Sequence, residues 1–271
     1  MGTSRIELRK TFESVADRYD AARPSYPAAL YDDLVESAAL VPGARLLEIG
    51  CGTGKSTAPL LERGFRVVCV ELGSRLAAHA RANLAGRAVD VHVASFEGWH
   101  GEPESFELVY AATAWRWVDP AVRYRKAFEA LRPGGHLAFW NATHGFPEDF
   151  DPFFSEIQDV YDEIGESHEG DWPPASPESM PDDAAEIEAS GLFDLPAVRR
   201  YVWEVRYSAD EYIALLDTFS GHIAMDPVKR ERLYGEVRRR LAAREEPVVR
   251  RHWSAILHVA RRSEVGRRSV R

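Results

Sequence analysis

The stretch Leu46-Leu47-Glu48-Ile49-Gly50-Cys51-Gly52-Thr53-Gly54-Lys55-Ser56 runs an apolar strand into three alternate glycines and then into a helix. Glycine adopts φ > 0 without steric cost and lets the backbone approach a ligand closely. The helix start behind it offers free N–H groups and the positive end of a dipole. At the carboxyl end of the first strand of an open α/β sheet, such a turn forms a nucleotide-type pocket. Spacing argues against two familiar loops. A phosphate loop needs Gly, four residues, then Gly-Lys-Ser/Thr. Gly54-Lys55-Ser56 supplies the end, but Ile49 occupies the place of the first glycine. A dinucleotide loop needs Gly-x-Gly-x-x-Gly, and here the third glycine arrives one residue early. Glu71 closes the next strand, 21 residues after Gly50. An acid at that point is placed to bind both hydroxyls of a ribose. NAD enzymes share it, so Glu71 alone does not choose the nucleotide.

The elements that must position these groups are legible in the periodicity. Apolar spacing predicts helices over 11–20 and 28–39, with Pro24 and Pro27 breaking the chain between them. Strands fit 45–49, 65–70, 89–94, 107–112 and 136–140, and helices fit 50–63, 75–85 and 120–131. Strands alternating with helices argue an α/β fold with a doubly wound, mostly parallel sheet. Past Trp140 the pattern changes: residues 146–190 are acidic, carry six prolines, and contain a helix near 152–164. Strands over 198–207 and 248–260 complete the sheet, with helices over 209–219 and 227–244 between them.

The 271 residues, 45% hydrophobic, suffice for one large α/β domain. No apolar run reaches the roughly 18 residues of a membrane span, and residues 1–10 lack the apolar core of a signal peptide. Cys51 and Cys69 read as small buried or loop residues, not as a disulfide framework. A cytoplasmic protein is expected, and Arg outnumbering Lys 30 to 4 suggests a GC-rich bacterial genome. The net charge of −9 argues against a nucleic-acid substrate, because phosphate binding needs a basic footprint. The charge is uneven. Residues 145–198 hold 16 Asp or Glu and no Lys or Arg, and residues 225–271 hold 14 Lys or Arg against 6 acids.

Glu48-x-Gly50-x-Gly52-x-Gly54 resembles motif I of the class I S-adenosylmethionine (SAM) dependent methyltransferases. The run 12–20, Phe-Glu-Ser-Val-Ala-Asp-Arg-Tyr-Asp, with Arg23-Pro24-Ser25-Tyr26-Pro27, is similar to the N-terminal cap of the trans-aconitate methyltransferase-like small-molecule group. Ser95-Phe96-Glu97-Gly98-Trp99, the run from Ala112 to Pro120, and Leu131-Arg132-Pro133-Gly134-Gly135 also match. The similarity covers about residues 11–260. It implies a Rossmann-like, seven-stranded methyltransferase sheet with an N-terminal helical cap and an acidic insertion after strand five. One methyltransferase domain is implied over 1–271. Its parts are a cap (1–43), a SAM-binding core (44–144), an acidic lid (145–197), a C-terminal sheet completion (198–260) and a basic tail (261–271).

By resemblance, Glu48 and the backbone of Gly50, Gly52, Thr53 and Gly54 hold the methionyl end of SAM, and Glu71 takes the ribose. Tyr19 and Arg23 approach the methionine end or the acceptor. Ser95, Phe96 and Glu97 lie at the adenine, although many relatives have Asp where this chain has Ser95. Ala112 and Trp117 belong to the motif after strand four, in which Arg116 replaces the usual His.

SAM carries its methyl on a sulfonium, so transfer is an in-line displacement governed by positioning. A hydroxyl or ammonium acceptor also needs a base. His144, four residues past strand five, is the candidate base, and Tyr19 is a further candidate at the reacting centre. Arg116 stays protonated and is suited to clamp a carboxylate or phosphate. A metal site finds no support in the His and Cys spacing. A small-molecule acceptor is expected. The acidic stretch reads either as solvated surface or as a lid whose field favours a neutral or cationic acceptor. Two other functions remain open: a non-catalytic SAM-, nucleotide- or partner-binding module, and an NAD-linked oxidoreductase.

Overall fold

The computed structural model describes residues 22–167 and 170–264. The first half runs α1 (Ala28–Ser37), β1 (Arg45–Ile49), α2 (Thr57–Glu62), β2 (Arg66–Glu71), α3 (Ser74–Asn83), β3 (Val89–Val93), β4 (Phe106–Ala112), α4 (Arg123–Ala130) and β5 (Leu131–Trp140). The second half runs β6 (Ala142–His144), α5 (Phe153–Glu156), α6 (Gln158–Glu163), α7 (Ala184–Ala189), β7 (Ala197–Ser208), α8 (Ala209–Leu216), α9 (Ser220–Ala224), α10 (Pro227–Ala242) and β8 (Val248–Arg261). The strands form one sheet of order β3-β2-β1-β4-β5-β8-β6, with β7 also paired to β8. β1 to β5 pair in parallel, and β8 runs antiparallel to β5, β6 and β7. β6 continues along the edge of β8 that β5 leaves, so the sheet is seven strands wide, the Rossmann-like methyltransferase arrangement expected.

Successive strand residues point to opposite faces, and here both faces are covered. Leu46, Leu108 and Tyr110 join Leu30, Leu34 and Leu60 on one side. Leu47, Val109 and Ala111 join Phe128 and Leu137 on the other. Residues 132–135 form a bulge inside β5, where the β4–β5 register shifts between Phe106 and Leu108. A Cβ at Gly135 would lie 3.0 Å from three carbonyl oxygens, so the strand crowds that position.

The structure redraws two expected boundaries. Helix 11–20 and Tyr19 lie outside the described residues. α1, expected within the cap, has Leu30, Tyr31 and Leu34 buried against the sheet, which makes it a core layer. The acidic insertion is likewise packed. Phe153, Phe154, Ile157 and Val160 join Leu216, Leu233, Val237 and Trp253 in a third apolar cluster. Each such burial contributes about 1.5–3 kcal/mol.

The charge asymmetry is an internal pairing. From α10, Arg240 meets Asp159 at 2.8 Å, Arg232 meets Glu163 at 3.1 Å and Lys229 meets Glu166 at 2.9 Å. Arg244 meets Asp151, Arg200 meets Asp182 and Arg123 meets Glu186. Six of the sixteen acids of residues 145–198 thus face bases. The exposed pairs contribute little to stability, at most about 1 kcal/mol each.

Candidate active site

A cavity of about 470 Å³ opens at the carboxyl ends of the parallel strands, from the glycine turn across to β8. Gly50, Gly52 and Gly54 have φ of 69°, 57° and 91°. Their positions differ in what surrounds them. A Cβ on Gly50 would lie 2.6 Å from Ala114 Cβ, and one on Gly54 would lie 2.7 Å from Leu84 Cδ1. Gly52 has nothing among the described residues within 4 Å of that direction and lines the cavity. Its missing side chain leaves open space where a ligand would approach the backbone.

Glu71 lies at the end of β2 and lines the same cavity. Its Oε2 accepts the Gly52 N–H at 2.9 Å, and its Oε1 accepts the Gly73 N–H at 2.8 Å. The carboxylate ties the glycine turn to the turn after β2. Glu71→Ala is expected to weaken binding of S-adenosylhomocysteine (SAH) by about 1.5–3 kcal/mol per lost hydroxyl bond. Calorimetry checks this, and an unchanged dissociation constant would remove Glu71 from the ribose.

Glu48 takes a different place from the one expected. It is fully buried and absent from the cavity wall. Its carboxylate accepts hydrogen bonds from Ser56, from Thr57 at 2.5 Å and from Tyr110 at 2.7 Å. Burial raises its pKa, and the three hydroxyls oppose that rise. Glu48 therefore braces the turn from beneath, joining β1, β4 and α2. Gly54 is also outside the cavity wall, whereas Thr53 and Ala112 are on it.

The turn after β3 forms the far wall. The Ser95 hydroxyl accepts the Gly98 N–H at 3.0 Å. Phe96 is buried and borders the cavity. Glu97 accepts the Asp119 N–H at 3.0 Å, which anchors the segment after β4. In that segment Thr113, a β-branched residue, holds φ 57°, a strained conformation of the kind that clusters at functional sites. Its hydroxyl meets Tyr26 Oη at 2.7 Å. Trp115 stacks on Phe139 at 5.2 Å and belongs to the core. Trp117 and the exposed Arg116 line the cavity, with the guanidinium 5.2 Å from the indole centre.

The opposite end is built by residues after β5 and from β8. His144 lies on β6 with Phe146 and Phe154 rings at 4.0 and 4.3 Å. Burial, helped by the nearby Arg251 and His252, lowers its pKa to about 2. The imidazole is neutral and its Nε2 is buried without a partner. With so weak a conjugate base it is suited to direct a hydrogen bond and poorly suited to keep a proton. The Arg23 Nε donates to Thr218 Oγ1 at 3.0 Å, and its guanidinium lies 4.3 Å from the Phe219 ring centre. Lys55 donates to the Arg23 carbonyl, which holds residues 22–27 across the glycine turn.

Sequence reading missed Arg251, Trp253 and Phe219 as cavity residues. One signal was present. Alternation places 249, 251 and 253 on one face of β8, and Val249 and Trp253 are both fully buried. An arginine on that face is therefore an interior charge.

Burial also lowers His222 to about 4, and lowers His136 and His258. The unfolded chain thus binds protons near pH 6.5 that the folded chain does not. These groups contribute stability that is complete above pH 6.5 and is lost as pH falls. Urea unfolding between pH 8 and 5 should show the midpoint dropping on the acid side; a flat midpoint would contradict the burial of these imidazoles.

The sheet order and the glycine turn give the Rossmann-like fold that methyltransferases share. Residues 47–139 match the family described as methyltransferase domain. The chain is 37% identical over 142 residues to an uncharacterized methyltransferase of Mycobacterium bovis, covering 52% of this chain and 56% of that one. It thus spans about half the length of the curated relatives it matches. A structure solved as a candidate type II methyltransferase from Anaeromyxobacter dehalogenans superposes with TM-score 0.64 and 26% identity, over 88% of this chain and 97% of that one. A Haemonchus contortus phosphoethanolamine N-methyltransferase 2, bound to phosphomonomethylethanolamine and SAH, shares the fold at TM-score 0.55 and 16% identity, over 97% and 61%. Among the described residues no cluster of three metal-ligating side chains occurs, and no helix is long and apolar enough to cross a membrane.

Proposed function

We propose that this protein transfers a methyl group from SAM to a small-molecule acceptor, as an enzyme of the trans-aconitate methyltransferase-like group working in the cytoplasm. The observation that carries the reading is the pairing of Glu71 with the Gly52 N–H at the mouth of a cavity that continues to β8. The open space beside Gly52 fits a bulky nucleoside ligand. In this reading Gly50, Gly52 and Thr53 receive the methionyl part, Glu71 the ribose, and Phe96 and Glu97 the adenine. When bound, SAM supplies an electrophilic methyl on a sulfonium.

The chain's own residues position the acceptor and exclude water. Trp117, Trp253 and Phe219 give the cavity apolar walls, and the strap 22–27 closes one side with Tyr26 fixed to Thr113. His144 is proposed to orient the acceptor through a hydrogen bond, and Arg116 to meet its charge. The core, insertion and C-terminal strands are proposed to act as one methyltransferase unit, and Tyr19 is proposed to reach the reacting centre.

A screen with methyl-labelled SAM tests the reading. Label should pass to a small molecule from a panel of carboxylates, phosphates, amines and phenols. Transfer only to polynucleotides or proteins would overturn the acceptor class. SAH binding without transfer to any acceptor would favour a non-catalytic module, motivated by the unusual Ser95 and Arg116.

A further inference from the structure

Arg251 is a buried charge with no carboxylate partner among the described residues. It is 4% exposed, lines the cavity, and its Nε has no hydrogen-bond partner. A guanidinium stays protonated, and a charge taken out of water needs an opposite charge or full hydrogen bonding. Its surroundings supply only part of this. Tyr207 and Tyr212 favour its charged form, and its guanidinium lies 4.6 Å from the Trp253 ring centre and 5.4 Å from that of Phe219. Ring faces soften a positive charge without neutralising it.

The neighbourhood adds positive charge. Arg23 lies over the same two rings, 4.3 Å from Phe219 and 5.6 Å from Trp253. Among the described residues the acids lining the cavity are Glu71 and Glu97. Both belong to the far end, where they hold backbone N–H groups. Asp151 of the insertion is engaged with Arg244.

We propose that the β8 end of the cavity is an anion subsite, in which Arg251 receives a carboxylate or phosphate group of the acceptor between the Trp253 and Phe219 rings. This rests on the methyltransferase reading, and it makes Arg251 the residue that selects the acceptor. The subsite reverses the preference for a cationic acceptor expected from the acidic insertion. The planar fork of Arg251 matches either oxyanion bidentately, and the aromatic walls suit an acceptor with an apolar body.

The test is calorimetry on the SAH-saturated full chain with three probes of similar shape: benzoate, phenyl phosphate and benzamide. At least one anion should bind about tenfold or more tightly than benzamide, and whichever anion binds better identifies the group. Arg251→Gln should weaken that anion about tenfold or more while SAH affinity stays within about twofold. Arg251→Lys should retain part of the anion affinity. Equal binding of benzamide and the anions, no binding of either anion, or an anion affinity unchanged in Arg251→Gln would overturn the subsite. If Arg251→Gln does not fold, the wild-type comparison and Arg251→Lys still decide. Failure of SAH to bind the wild-type chain counts against the methyltransferase reading instead, and the anion titration is then run without it.

Discussion

Gly52→Val is expected to abolish SAH binding, with a loss of about 100-fold or more, while the sheet stays folded. Two effects combine. Residue 52 has φ 57°, where a β-branched residue is strained by about 1–3 kcal/mol. The new side chain would also stand in cavity space, because nothing among the described residues lies within 4 Å of the Cβ direction. The neighbouring glycines do not isolate binding so well. Side chains at Gly50 and Gly54 would strike Ala114 and Leu84, disturbing packing as well as access. Calorimetric titration with SAH, beside circular dichroism as a control on folding, reads the effect. A folded Gly52→Val protein that binds SAH within about twofold of wild type would remove the glycine turn from the ligand.

The largest expected loss of stability is at Asp151→Ala, about 3–5 kcal/mol. Asp151 is 3% exposed. It accepts two bonds from Arg244, at 2.9 and 3.0 Å, and the N–H groups of Phe153 and Arg250, both at 2.9 Å. One carboxylate thus joins the start of α5, the chain beyond α10 and the start of β8. Its removal leaves the Arg244 guanidinium and two N–H groups without their partner. Burial acts to raise the Asp151 pKa, but the Arg244 bonds and the two N–H groups outweigh it and hold the carboxyl below its usual value. The stability it contributes is therefore present above the unfolded-state carboxyl pKa and is lost as pH falls through the lower folded value. Urea unfolding at pH 7 checks the magnitude. A loss below about 1 kcal/mol would mean that this junction behaves as a surface pair.

The fold was legible because its determinants are local. Val-rich strands and the Gly50–Gly54 turn each carry their signal within a few residues. Strand and helix positions after residue 197 agree with the periodicity to within a few residues. Side-chain partnerships were not legible, because they join distant residues. Glu48 looked like a ligand contact in its motif, yet Tyr110, 62 positions away, occupies it. The partners of the acidic stretch are likewise distant: α10, some 80 positions on, brings Arg240 to Asp159. His144 was found at the cavity as a titrating group, but Phe146 and Phe154 dehydrate it, and periodicity cannot report that degree of burial. Arg251 was hidden by its setting, since an arginine that follows Arg250 in β8 reads as an outward residue until Val249 and Trp253 are known to face inward.

The central claim is that the glycine turn and Glu71 receive SAM rather than a dinucleotide, and a calorimetric titration of the wild-type chain with SAH beside NAD tests it most directly. SAH should bind with one-to-one stoichiometry and NAD should give no heat of binding. Binding of NAD with SAH inert, or heat from neither, would contradict the assignment.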